Sequence, residues 1–123
     1  MKIYISFLFM TLLFANVSAQ TKKNELTEEQ IINHLIEYVK NLKGAVFIRN
    51  GSEYTAKEAA EHLQLKRKKA GSSIKTASEF ILNCASKSSV SGKDYLIKLS
   101  DGKTFRAAHL LSIEAERYTK SKK

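Results

Sequence analysis

The sequence predicts an α+β fold, with about four helices packed with two short β-hairpins in a single compact domain. Three observations predict it. Thr27-Glu28-Glu29-Gln30, Thr55-Ala56-Lys57-Glu58 and Thr76-Ala77-Ser78-Glu79 are capping boxes, and each opens an apolar stripe of helical period. Asn50-Gly51 and Asp101-Gly102 are tight-turn dipeptides set between short β-prone runs. The resulting order is helix, hairpin, two helices, hairpin, helix, without an internal repeat of solenoid period.

In chain order, Ile31, Ile32, Leu35, Tyr38, Val39 and Leu42 recur every three or four residues and predict a first amphipathic helix ended by Gly44. Val46-Phe47-Ile48-Arg49 reads as a strand, Asn50-Gly51 as its turn, and Ser52-Glu53-Tyr54 as the returning partner. The second helix carries Ala59, Ala60, Leu63 and Arg67 on one side and stops at Gly71. Ala77, Phe80, Ile81, Cys84 and Ala85 give the third helix the cleanest stripe in the chain. Ser86 to Gly92 turns to Ser and Gly, a loop signal. Tyr95, Ile97 and Leu99 alternate as a strand, with Thr104-Phe105-Arg106 returning after Asp101-Gly102. Ala107, Leu110, Leu111, Ala115 and Tyr118 mark a last helix, and residues 119–123 read as a basic disordered tail. The expected core is Phe47, Ile48, Leu63, Phe80, Ile81, Ile97 and Leu111.

The N-terminal segment addresses compartment. Lys2 precedes an apolar run from Ile3 to Phe14, and Val17-Ser18-Ala19 supplies small residues at a cleavage site, so residues 1–19 read as a signal peptide. The run is shorter than the ~20 residues that span a bilayer, and no second apolar stretch follows, so no transmembrane segment is expected after cleavage. No cysteine follows the run to accept a lipid. The expected product is exported, periplasmic or secreted, with residues 20–118 as the folded domain.

The chain has 123 residues and a formal net charge of +9, which favours an anionic ligand or an acidic envelope protein as partner. Export removes nucleic acid from consideration. Lys66-Arg67-Lys68-Lys69 winds around a helix rather than lining one face and reads as a solvated helix end. The single cysteine, Cys84, forms no internal disulfide and sits at a core position. His34, His62 and His109 lie at no ligand spacing, so neither a metal site nor any other cofactor is expected.

Phe47-Ile48-Arg49-Asn50-Gly51, Tyr54, Glu58-Ala59-Ala60, His62-Leu63 and Lys66 form a recognisable set. It continues in Thr76-Ala77, Phe80-Ile81, Ala85-Ser86-Lys87-Ser88-Ser89, Ser91-Gly92-Lys93 and Tyr95. Together these resemble a family of small exported bacterial proteins catalogued as Domain of Unknown Function 5329, over roughly residues 28–118. The resemblance implies export and a compact fold, and implies no activity. A cysteine near Ala45 and a tryptophan near His109, which it leads one to expect, are absent. It also implies that Ser88, Ser89, Ser91 and Gly92 recur as a block, and a loop of definite composition points to contact with a partner.

Candidate binding residues follow from spacing. Glu58, His62 and Lys66 lie one turn apart on the second helix, close in sequence to Arg49, Asn50 and Tyr54. Ser88, Ser89, Ser91, Gly92 and Tyr95 form the second group. The leading reading is a non-enzymatic binding module of the cell envelope. One alternative is a small hydrolase using Glu58 and His62 as a base pair, for which no nucleophile or oxyanion arrangement is readable. Another is an inhibitor of lysozyme type, through the Ser91-Gly92-x-x-Tyr95 pattern; those inhibitors are strand barrels with basic targets, and a basic chain opposes such association. Ser72-Ser73-Ile74-Lys75 matches S-x-x-K, but the companion motifs fail at their third positions and the chain is too short for that fold. No catalytic residue is assigned.

Mass spectrometry of the protein from its native host is expected to show a chain starting at Gln20; an intact Met1 to Lys123 chain in the cytoplasm would refute the export reading.

Overall fold

Threonines open three of the four helices, as the capping boxes require. A computed structural model describes residues 25–123, so the segment read as a signal peptide lies outside the described residues. Helix α1 spans Glu28–Lys40 and α2 spans Ala56–Ala70, each with both halves of its capping box formed. Thr55 Oγ1 accepts from Glu58 N, and the Glu58 carboxylate takes the Thr55 N–H in return. At α3, Ala77–Cys84, only half the box forms: Thr76 accepts from Glu79 N, but Glu79 takes the N–H of Lys75 instead. The exchange is completed from elsewhere, because Glu28 of α1 accepts from Ala77 N at 2.8 Å. That bond ties the starts of two helices and satisfies a donor no intrahelical carbonyl can reach. A single 3-10 turn, Gly71–Ser73, separates α2 from α3.

Strands β1 (Val46–Arg49) and β2 (Ser52–Tyr54) meet at Asn50-Gly51, where φ is 52° and 77°. Positive φ at both central residues is the left-handed turn whose twist matches the flanking strands. Strands β3 (Leu96–Lys98) and β4 (Thr104–Arg106) form the second hairpin. The two hairpins are not separate. Antiparallel pairing of β1 with β3 fuses them into one sheet of order β2-β1-β3-β4. The register places Tyr54, Phe47, Ile97 and Phe105 side by side across it. Since alternate residues share a face, this row turns towards the helices, where Phe47 and Ile97 are buried.

That period of two corrects one expected core residue. Ile48 lies next to Phe47 and so points away from the helices, beside Leu96, and is only partly buried. The other six expected core residues are buried, joined by Ile31, Ile32, Leu35, Ile36 and Val39 of α1 and by Cys84. Burial also raises the Cys84 thiol's pKa, which keeps it protonated. Helix α1 packs against α2, α3 and α4, and α2 and α4 each contact the sheet. Among the described residues no helix is long and apolar enough to cross a membrane.

Helix α4 spans Ala107–Ser121, running past Tyr118 into the segment read as a disordered tail. The extension has local support: Lys120 Nζ meets Glu116 Oε1 at 2.8 Å, an i,i+4 pair, and Thr119 Oγ1 donates to Ala115 O. The same helix carries a buried acid that periodicity gives no hint of. Glu114 is 6% exposed, accepts from His34 Nε2 of α1 at 2.8 Å and from Arg117 Nε at 2.8 Å. The His34 ring stacks on Tyr118, with centroids 3.6 Å apart. The Arg117 hydrogen bond, aided by that of His34 and outweighing desolvation, holds the Glu114 carboxyl below its ordinary range.

Three substitutions have stability outcomes that follow from these contacts. Phe80→Ala, at a fully buried position, is expected to cost about 3–5 kcal/mol in urea unfolding. Leu82→Ala, two residues away but 68% exposed, should stay within about 0.5 kcal/mol of the parent. Glu114→Gln is expected to cost about 1.5–3 kcal/mol at neutral pH, the worth of a charged hydrogen bond. Because folding lowers the Glu114 pKa, its contribution is present above the unfolded value and is lost as pH falls through the folded one. The gap between parent and Glu114→Gln should therefore close on acidification; a gap independent of pH would contradict the assignment.

Candidate functional site

A cavity of about 360 Å³ opens between the sheet and α2. Its floor is apolar, with Val39 of α1, Phe47 of β1, Leu63 of α2, Ile97 of β3 and Leu111 of α4. Ala59, Ala85 and Ala107 stand in its walls, where larger side chains would fill it. Its mouth is polar, formed by Arg49, Tyr54, Glu58, Glu61, His62 and Tyr95. The volume lies at the small end of the ~300–1,000 Å³ typical of small-molecule sites.

Each mouth residue is held by its element. Arg49 ends β1 two residues after Phe47, so the strand period turns it to the helix side. Its guanidinium lies 5.6 Å from the Tyr54 ring centroid, and Nη1 lies 2.9 Å from His62 Nδ1 and 3.0 Å from Nε2. Near-equal distances to both ring nitrogens set the guanidinium over the imidazole, where its positive charge disfavours a protonated ring. Burial, then the charges of Arg49, Lys66 and Lys69, push the His62 pKa below its usual value. Lys66, one turn further along α2, donates to Tyr95 Oη at 3.1 Å and stands 5.0 Å from that ring's centroid. The Tyr95 hydroxyl is 3.5 Å from His62 Nε2. Arg49, His62, Lys66 and Tyr95 thus form one chain of contacts. Neither Arg49 nor Lys66 has a carboxylate partner among the described residues.

The Lys66-Arg67-Lys68-Lys69 run divides accordingly. Lys66 and Arg67 are half-buried, Arg67 donating to Asn33 of α1 and facing Glu29 at 3.7 Å, whereas Lys68 and Lys69 are exposed. Glu58 lines the mouth, but its carboxylate serves the Thr55 cap, and no hydrogen bond joins it to His62. No serine, threonine or cysteine lines the cavity.

The serine loop is organised as a unit. Ser88, small and polar though it is, is only 5% exposed. The reason is hydrogen bonding rather than bulk: its backbone N–H donates to Lys93 O, its carbonyl accepts from Gly92 N, and its hydroxyl accepts from Asn50 Nδ2 at 3.1 Å. Val90 N and Ser91 N also point to that hydroxyl. Ser91 Oγ donates to Asn50 Oδ1. One asparagine therefore fixes both the hairpin turn and the loop, while Ser89, Ser91 and Gly92 remain exposed. Tyr95 is 9% exposed and points inward to Lys66, so the Ser91-Gly92-x-x-Tyr95 pattern does not present serine and tyrosine on one protruding tip.

The eleven candidates fall into two adjoining groups. Arg49, Tyr54, Glu58, His62 and Tyr95 line the cavity, with Lys66 just beyond it on Tyr95 Oη, and Asn50, Ser88 and Ser91 knit the neighbouring turn, with Ser89 and Gly92 at its surface. Sequence reasoning missed the floor and walls, because Val39, Ala85, Ala107 and Leu111 read as ordinary core. It grouped Arg49 with His62 in one polar patch, but missed their direct contact, which no helical spacing encodes. Among the described residues no three His, Cys, Asp or Glu side chains are grouped as metal ligands.

A family of unknown function (DUF5329) matches residues 26–119. An uncharacterised protein of Salmonella typhimurium, YfeK, is 38% identical over 82 residues, covering 67% of this chain and 62% of that protein. The chain thus spans somewhat under two thirds of the length of the relative it matches. No solved structure matches significantly.

Proposed function

The chain belongs to the family of unknown function (DUF5329), and from the geometry of its pocket we propose that it is a non-enzymatic binding module for an anionic ligand of the bacterial cell envelope. One observation carries the reading. Two half-buried cations, Arg49 at the cavity mouth beside a neutral imidazole and Lys66 just beyond it on Tyr95 Oη, have no carboxylate partner among the described residues. Cations withdrawn from water without a counter-charge favour an incoming anion, which restores the lost interaction. The proposal includes export, on the strength of the Lys2 to Ala19 segment.

A hydrolase reading draws less support. An activated base needs a carboxylate or carbonyl acceptor to orient the imidazole, whereas the partners of His62 are the Arg49 guanidinium and the Tyr95 hydroxyl. The inhibitor reading is weakened by the inward aim of Tyr95.

Sulfate titrated into the protein is the simplest test, since it stays dianionic throughout the useful pH range. Arg49→Gln and Lys66→Gln are each expected to weaken sulfate roughly tenfold or more, the loss of about 1.5 kcal/mol or more per charged hydrogen bond. His62 is neutral in the free protein, so acidification through its lowered pKa adds a third cation at the mouth. Sulfate affinity should then rise as pH falls below the ordinary imidazole range and through the lowered His62 pKa, while the unliganded protein loses stability over the same window, because unfolded His62 takes its proton at higher pH. Sulfate binding that is unchanged in both variants would overturn the reading.

A further inference from the structure

The cavity behind the cations is larger and drier than an inorganic anion needs. Sulfate would touch only the mouth; Val39, Phe47, Leu63, Ile97 and Leu111 beneath it offer no polar side-chain atom. These five come from five elements and are all buried, so the floor belongs to the core and is rigid. We propose that the site takes an amphipathic monoanion: an unbranched or ring-bearing apolar body on the floor, ended by one carboxylate held between Arg49 and Lys66. This rests on the anion-binding reading above and names the class of ligand.

Three features point to this class. First, a ligand's apolar body gains by leaving water for an apolar lining that includes the 50% exposed Leu65, at about 0.8 kcal/mol per buried methylene in general. Second, the volume of about 360 Å³ holds about a dozen heavy atoms at the ~30 Å³ of liquid packing. A ten-carbon carboxylate has that size. Third, the mouth is not uniformly positive. Glu58 and Glu61 stand on the rim with Arg49, and Lys66 lies just beyond, so the charge there suits one anionic group and opposes a polyanion. The planar guanidinium of Arg49 can fork two parallel bonds to a carboxylate, with the Lys66 ammonium as a point charge on the other side. The Tyr54 and Tyr95 rings, already against these two cations, close the sides.

The experiment compares ligands on the unmodified protein by isothermal titration calorimetry. Decanoate supplies tail and anion, acetate the anion alone, and decyltrimethylammonium the same tail with the opposite charge. Decanoate is expected to bind at least about tenfold tighter than either of the others. Across straight-chain carboxylates from butanoate upwards, affinity should climb with each methylene and level off once the cavity is full. If acetate and sulfate bind as well as decanoate, or the series is flat, the amphipathic ligand is refuted while the anion module stands. If decyltrimethylammonium equals decanoate, charge selection is absent and both readings fall; if no anion binds, both fall as well. Ala59→Phe, which adds a ring to the cavity wall at a half-exposed position, is expected to weaken decanoate at least about tenfold. The chain-length series decides the matter without that variant should it fold poorly.

Discussion

The pairing of β1 with β3 is the constraint on which everything else depends. Either hairpin alone is a two-stranded ribbon of three or four residues a side, marginal in water. Joined through Phe47 opposite Ile97, they become a four-stranded surface with one apolar row, against which α2 and α4 pack. The same junction sets Arg49 and Tyr95 at neighbouring strand ends and faces both towards α2. Without it His62 has no guanidinium beside it, Lys66 has no phenol, and the cavity has no floor on the sheet side.

Two histidines show how one side chain serves opposite ends. His34 donates to Glu114 across the α1–α4 contact, where a buried carboxylate is matched by Arg117 and the group is closed and self-sufficient. His62 lies against Arg49, and neither Arg49 nor Lys66 has an ion-pair partner among the described residues. The first arrangement holds helices together. The second sets two cations without a carboxylate partner among the described residues beside a cavity with an apolar lining.

Much of the fold was legible because its signals are local. Thr27 and Thr55 with their returning Gln30 and Glu58, the Asn50-Gly51 turn and the α3 stripe each concern residues within a few positions, and the structure has all of them. What lay beyond reading is what depends on distant partners. Ile48 looks as apolar as Phe47, and only the sheet's register tells which faces the helices. Ser88 is buried because Asn50, thirty-eight positions earlier, reaches its hydroxyl. Glu114 falls on the α4 stripe but carries a charge, so periodicity discards it until His34 is seen across the interface. The candidate site was legible as residue types on one helix and one turn. Its geometry was not: the Glu58 carboxylate, spaced to meet His62, is taken by its own helix cap, and the cavity is made from alanines and leucines that have no chemistry to advertise.

The fused sheet also has a kinetic side. Each hairpin closes locally and on the microsecond scale, and the chain has no proline or disulfide to impose a slower step. The β1–β3 union must wait for the two helices between them to fold back, so it closes the longest loop in the sheet. Until then β1 and β3 each expose an unpaired strand edge, able to accept the corresponding strand of another molecule. Strands of three and four residues offer such an intruder few bonds, and brevity is thus the safeguard of a protein that assembles its sheet last.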